Sequence, residues 1–498
     1  MTEIFLDAAT LLFSPAVWGC LFVGVFSGMV IGAIPGLSAT MGVALLIPFT
    51  FELEIMPALS LLIGIYCGAI YGGTIPAILF KTPGTPASAA TLFDGYPMMQ
   101  RGEAGRALSL SAWSALVGGV IGTLLLIFLT PQISRFALSF GPAEFFALAV
   151  LGLSLITSLS SDSMVKGAIA MVGGLICSTV GMDPVSGYPR FLFGSVSLME
   201  GMPFIPVLIG LFALTEVFSG EGSPPVVSKS EGMRLFELPH KADMKRCSWT
   251  VVKSAFLGAF TGSTPGAGAD VAAFLSYSVA SQQAKKDDCF GKGEPKGIAA
   301  AEAGKTAATS GAMIPLLSLG IPGDSVTAVL IGAFILHGIQ PGPLLFQQHA
   351  PLAYAILGIV LCAHFVVFGT ALSTAKLMMG TLKIDKRFLN TGILMLSLMG
   401  AYALRGNMVD CWIALAFGVL GVGMRRGGFP PAPFLLALIL GGLAEENLRR
   451  ALVLSEGSFG VALQRPITMT LLLVTVLLVG INLWRQYRKN MDSVRVDD

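Results

Sequence analysis

The residues best suited to chemistry are few, and they stand beside breaks in apolar stretches. Lys81 precedes Thr82-Pro83-Gly84-Thr85, Asp324 follows Pro322-Gly323, and Asp270 lies just past Pro265-Gly266-Ala267-Gly268. Glu302 and Lys305 share the alanine-rich run that leads to Ile321-Pro322-Gly323. A charge near the centre of a bilayer costs at least about 2.5 kcal/mol and needs a partner or a cavity. Lys81 and Lys305 are therefore candidate counter-charges for substrate carboxylates. Asp270, Glu302 and Asp324 are candidates for ion coupling, as holders of sodium or a proton, and the candidate metal is a sodium ion near Asp324. Uncharged hydroxyls able to line a polar pocket surround them: Ser38, Thr40, Thr82, Thr85, Ser88, Thr91, Ser263, Thr264, Ser325 and Thr327. The plainer reading is that Lys81 snorkels to the cytoplasmic interface and Lys305 pairs with Glu302, one helical turn away.

Such residues need elements that stop and restart. Residues 66–99 run through a glycine-rich approach into Lys81-Thr82-Pro83-Gly84-Thr85-Pro86. Proline rings remove backbone donors and bias the preceding residue away from helical angles. A helix is thus predicted to end before Pro83 and another to begin near Pro86, with Thr85 as N-cap and Pro86 first. Similar breaks stand at Pro35-Gly36-Leu37-Ser38, Pro265-Gly266-Ala267-Gly268 and Ile321-Pro322-Gly323-Asp324. Broken helices aim free N–H groups at an anion and carbonyl ends at a cation. The candidate substrate-binding set is Pro35, Gly36, Ser38, Lys81, Thr82, Pro83, Gly84, Thr85, Ser88, Pro265, Gly266, Gly268, Lys305, Pro322, Gly323 and Ser325.

Composition names the solvent. Of 498 residues, 54% are hydrophobic and 12% charged, where soluble domains carry about 25% charged; the mean hydropathy is +0.78. The chain reads as an all-α polytopic membrane protein, with about twelve transmembrane segments, several short enough to be half-helices or re-entrant pieces. A net charge of +2 points to no nucleic acid. The seven cysteines show no C-x-x-C pair and the four histidines (His240, His337, His349, His364) no ligand spacing, so neither a disulfide framework nor a metal cluster is expected. No cofactor is expected beyond a coupling ion. The acidic N-terminus, with its first basic residue at Lys81, is not expected to be a signal peptide.

The halves repeat. Gly28, Gly32, Pro35, Gly36 and Ala39 match Gly258, Gly262, Pro265, Gly266 and Ala269, 230 positions later. Gly72, Pro76, Pro83, Gly84 and Ala89 match Gly311, Pro315, Pro322, Gly323 and Ala328, 239 later. This divides the chain into a first repeat (1–220), a cytoplasmic linker (221–248), a second repeat (249–450) and a terminal helix with a cytoplasmic tail (451–498). The loop at 51–57 is acidic, whereas its counterpart holds Lys285, Lys286, Lys292 and Lys296. The positive-inside rule puts them on opposite sides, making the repeats inverted, as in secondary transporters whose sites lie where broken helices meet. Gly24, Gly28 and Gly32 share one helix face and predict close packing.

Two enzyme readings are weaker. Ala299–Thr306 departs from a phosphate-binding loop in lacking the first glycine and a preceding strand. An intramembrane aspartyl protease would need Asp94 and Asp324 to face each other, but the repeat aligns Asp324 with Thr85 and Asp94 with Ala333. Asp94 is expected to cap a turn.

YGGTIPAILFKTPGTPASAATLFDGYPM and EAGKTAATSGAMIPLLSLGIPGDSVTAVLIGAFILHGIQPGPLLF resemble the two signature regions of the large membrane subunit of the tripartite tricarboxylate transporter family. GMVIGAIPGLSA and GAFTGSTPGAGADVAAF resemble its glycine-rich segments. The resemblance implies a bacterial inner-membrane permease for tricarboxylates or related carboxylates, or another organic anion, driven by sodium or protons. It also implies two partners, a small membrane subunit and a periplasmic solute-binding protein. Where the family favours asparagine, this chain has Lys81, and a Lys305-Thr306 pair stands for two asparagines.

Overall fold

The structure, a computed structural model, describes residues 2–158, 164–183, 187–219, 237–285, 288–381, 386–458 and 465–494. Most of the expected linker (221–236), Lys286 and the last four residues lie outside the described residues. The chain is helical almost throughout, with a single two-stranded ribbon, Gly181–Met182 with Pro189–Arg190, among the described residues. Among the described residues five helices are long and apolar enough to cross a membrane, and six shorter apolar helices accompany them, against about twelve segments expected. It is a multi-pass membrane protein.

The helices that frame the candidate residues are α1 (Pro15–Ala33), α2 (Ala39–Leu46), α3 (Ile55–Gly72), α4 (Thr74–Phe80), α5 (Ala89–Gln100), α6 (Ala104–Ala137), α7 (Lys241–Ser263), α8 (Gly268–Gln282), α9 (Pro295–Leu319), α10 (Ser325–Leu336) and α11 (Ala350–Thr381). Their ends obey the spacings read from the sequence. α1 and α7 stop 230 positions apart, and α9 ends 239 positions after α4. As expected, the turn at Pro86–Ser88 has Thr85 as its cap residue with Pro86 first.

Packing repeats too. Gly28 and Gly32 of α1 press on the carbonyls of Ile65 and Ala69 in α3. Gly258 and Gly262 of α7 press on those of Gly304 and Ala308 in α9, the corresponding residues. Added methyl groups there would collide with backbone. Lipid tails are as apolar as the side chains, so close backbone approach must do what the hydrophobic effect does in water.

The chain forms two compact units. One comprises Met1–Arg135 with Ile205–Val422, the other Phe136–Phe204 with Gly423–Asp498. All four Pro-Gly breaks lie in the first. In the second, helix Pro431–Leu454 packs on Pro142–Ser158 and Met164–Ser178, and Arg190 joins Glu445 at 2.6 Å.

Candidate functional site

Each break folds back on its own repeat. The chain leaves α4 through Lys81 in the left-handed region (φ 56°) and leaves α9 through Gly320 in the same conformation (φ 72°). A Cβ on Gly84 would lie 2.8 Å from the Gly73 Cα and inside contact distance of the Gly32 carbonyl. On Gly323 it would lie 2.6 Å from the Ala312 Cα and 2.8 Å from the Gly262 carbonyl oxygen. These are corresponding residues, so both breaks are re-entrant in the same way. In the second repeat the Gly266 N–H donates to the Gly323 carbonyl at 2.7 Å, joining its two corners. Gly36 (φ 98°) and Gly266 (φ 89°) turn where a Cβ is disfavoured.

The repeats then hold each other's breaks. From α3, Tyr66 donates to Asp324 Oδ2 at 2.5 Å. From α9, Lys305 donates to Ser88 at 3.0 Å. Lys305 lies 239 positions after Tyr66, so equivalent positions on the two long helices reach across to opposite breaks. Thr40 and Ser325 join at 2.8 Å, a further link between repeats. Asp270, the equivalent of Thr40, has Asp324, Lys305 and the Ala87 backbone as its electrostatic neighbours.

The deepest part is an ion pair. Lys305 Nζ lies 2.9 Å from Glu302 Oε1, and both side chains are fully buried. Lys305 also donates to Thr74, so its three N–H groups are all engaged. Glu302 Oε1 accepts from Thr74 at 2.9 Å and Thr91 at 2.6 Å. Glu302 Oε2 is buried with no hydrogen-bond partner among the described residues. Neither Tyr66, Thr74 nor this orphaned oxygen stands out in the sequence reading. The spacing alone could have found Tyr66, as the counterpart of Lys305.

The breaks differ as ion sites. Ser38 accepts from the Met41 N–H and Asp324 from the Thr327 N–H, so α2 and α10 have their first turns capped by their own side chains. α8 carries no side-chain cap, leaving N–H groups for a ligand, whereas at the Pro86 turn the Ala87 N–H faces Asp270 and the Ser88 N–H donates to the Thr85 carbonyl at 3.0 Å. Asp324 takes bonds from Thr327 on Oδ1 and Tyr66 on Oδ2, with the Val326 N–H also facing its carboxylate, so its acceptor sites are largely taken up by the protein. Among the described residues no three His, Cys, Asp or Glu gather as a metal site. Pro35, Gly36, Ser38, Thr82, Pro83, Pro86, Pro265, Gly266, Asp270 and Ser325 keep part of their surface open, whereas Gly84, Thr85, Ser88, Gly268, Pro322 and Gly323 are buried.

Lys81 stands apart. It is exposed, with its ammonium 5.7 Å from the Tyr96 ring centre, and it is not brought to the Lys305 cluster. Asp94 does not cap its own turn: it accepts from the Gly293 and Glu294 N–H groups at the start of α9 and from Tyr277. Gly323, which precedes Asp324, folds back beside Ala312, about 27 Å of helical rise further along α9. The two aspartates are not a catalytic pair. Ala299–Thr306 lies within α9 and is buried, so it is no phosphate loop.

The model of the Tripartite tricarboxylate transporter TctA family matches residues 19–436. One relative from Agrobacterium vitis, described as "Uncharacterized 52.8 kDa protein in TAR-I ttuC' 3'region", is 37% identical over 479 residues, covering 96% of this chain and 95% of its own. Another from the same organism, "Uncharacterized protein in TAR-II ttuC' 3'region", is 36% identical over 241 residues, 48% of this chain and all of its own. No solved structure matches.

Proposed function

On the premise that this chain belongs to the Tripartite tricarboxylate transporter TctA family, we propose that it is the membrane permease of a bacterial inner-membrane system importing tricarboxylates or related carboxylates. Substrate is delivered by a periplasmic solute-binding protein, and a small membrane subunit completes the complex. The repeats are inverted, and an ion gradient drives uptake.

One observation carries this reading: two re-entrant breaks are each clasped by the other repeat, and a buried lysine–glutamate pair lies against the first of them. Substrate carboxylates are drawn to the uncapped N–H groups at the start of α8 and to the hydroxyls of Thr85 and Ser88. Lys305 supplies the positive charge. Because its three donors are engaged, a carboxylate must compete with Glu302 for it. A proton on Glu302 weakens the internal pair and releases Lys305 to the substrate, which couples binding to protonation. Asp270, beside Asp324, offers a place for sodium. Lys81 acts at the rim.

The test is uptake into proteoliposomes holding this chain and the small subunit, with binding protein supplied outside. Labelled citrate and a panel of di- and tricarboxylates are offered under an imposed pH or sodium gradient. Accumulation that collapses with the gradient is expected. Equilibration without accumulation under either gradient overturns the reading.

A further inference from the structure

One face of α9 carries a row of buried polar groups that runs away from the Lys305–Glu302 pair. Glu302, Thr306 and Ser310 recur every four residues and so follow one gently winding stripe. Glu302 Oε2 and Thr306 Oγ1 are both buried and without a partner among the described residues. Beyond them, Ser310 Oγ lies 3.0 Å from His364 Nε2 on α11 and 2.9 Å from Thr123 Oγ1 on α6. His364 is 1% exposed, and its Nδ1 is a third orphan.

The bonding fixes the histidine tautomer. Thr123 spends its hydroxyl proton on the Gly119 carbonyl at 2.8 Å. It therefore accepts from Ser310, and Ser310 in turn accepts from His364, so the proton sits on Nε2. Nδ1 is left as a bare, buried acceptor. Successive stripe residues are separated by about 6 Å of helical rise. Two O–H···O bonds through one water span about 5.6 Å, so the path needs one water in each gap.

We propose that His364, Ser310, Thr306 and Glu302 form an intramembrane proton path that ends at the Lys305–Glu302 pair. This rests on the coupling role given to Glu302 above. A proton joins His364 Nδ1, and the Nε2 proton passes to Ser310. The Ser310 hydroxyl rotates from Thr123 and hands its own proton through water to Thr306, which relays one through water to Glu302 Oε2. Only O–H and N–H bonds are made and broken. One proton enters, one carboxylate is neutralised, and the ring regains its first tautomer by exchange with water, which gives Nε2 a proton and takes the one on Nδ1. The ionisable groups facing Glu302 are Lys305 on α9 and Tyr71 on α3, with Asp270 on α8 acting through Lys305. His364 is faced by the neutral Ser310.

The experiment uses the complete complex in proteoliposomes loaded with a pH-reporting dye, with citrate or whichever acid of the panel accumulates. Thr306→Val, Thr306→Ser and His364→Gln are compared with wild type for substrate-driven proton entry and for exchange of labelled for unlabelled acid at equal pH. Thr306→Val and His364→Gln are expected to slow proton entry about tenfold while exchange stays at the wild-type rate, and Thr306→Ser restores entry. The exchange rate also reports that each variant is folded. Wild-type proton entry in both Thr306→Val and His364→Gln, or a Thr306→Ser as slow as the valine variant, overturns the path. Wild-type uptake with no proton entry instead removes the coupling role of Glu302, and the path with it.

Discussion

At Lys305, one ammonium meets three oxygens in a site closed to solvent. Removing one member of such a pair leaves the other charge buried, which costs about 3–5 kcal/mol, whereas removing both is far milder. Lys305→Met should therefore depress the thermal midpoint strongly, and Lys305→Met with Glu302→Gln should recover much of the loss. Midpoints that simply add would show that the two charges are not coupled. Lys81 presents the contrary case. Its left-handed backbone costs about 1–2 kcal/mol, and the repeat uses glycine at the equivalent Gly320. Lys81→Gly relieves that strain but gives up the Tyr96 contact and adds chain entropy, each worth about 0.5–1 kcal/mol. It should change stability by less than about 1 kcal/mol. Gly320→Ala should cost clearly more, because its methyl would meet the Pro341 carbonyl oxygen at 2.7 Å.

At the scale of elements, glycine rows decide how near two helices come. Gly32→Leu would drive a side chain into the Ala69 carbonyl and should abolish the monodisperse peak in size-exclusion chromatography. The α8–α9 loop is held by charge instead: Lys296 Nζ lies 2.7 Å and Arg246 3.1 Å from Asp288. Desolvation raises the Asp288 pKa, but bonds from Lys296, the Lys285 N–H and Arg246 outweigh it and bring it down to about 2. A depressed carboxylate stabilises above its unfolded pKa, near 3.9, and loses that contribution as pH falls through the folded value. Cleavage of the loop by pepsin should stay slow at pH 4 and quicken towards pH 2; equal rates would remove the role given to Asp288. The breaks and the repeat are legible in sequence because proline and glycine mark backbone that cannot be helical. The clasp is not. Its partners lie 217 and 258 residues apart, and a tyrosine and a lysine at equivalent positions share no chemistry that a repeat of small residues would reveal. Asp94 is misread for the same reason: its partners, 183 to 200 residues away, belong to α8 and to the turn that leads into α9.

At the scale of the whole molecule, inversion of the repeats is a statement about sides. Single cysteines at 54 and 290, in a background lacking Cys289, should react with an impermeant maleimide from opposite faces of oriented vesicles. Labelling from one side would make the repeat parallel. The two units of the fold interleave in sequence, each drawing on both halves of the chain, so contact and repeat divide the protein along different lines.

The reciprocal clasp bears on how the protein is made. During synthesis the first half enters the bilayer with Thr74, Ser88 and Thr91 already placed but their acidic and basic partners still untranslated. Its hairpin has nothing to close on until the ribosome has passed residue 305, and Tyr66 waits longer, for Asp324. Biogenesis must therefore shelter an unfinished polar pocket in lipid, and a chain severed between its halves would mature only when both fragments are made in the same cell.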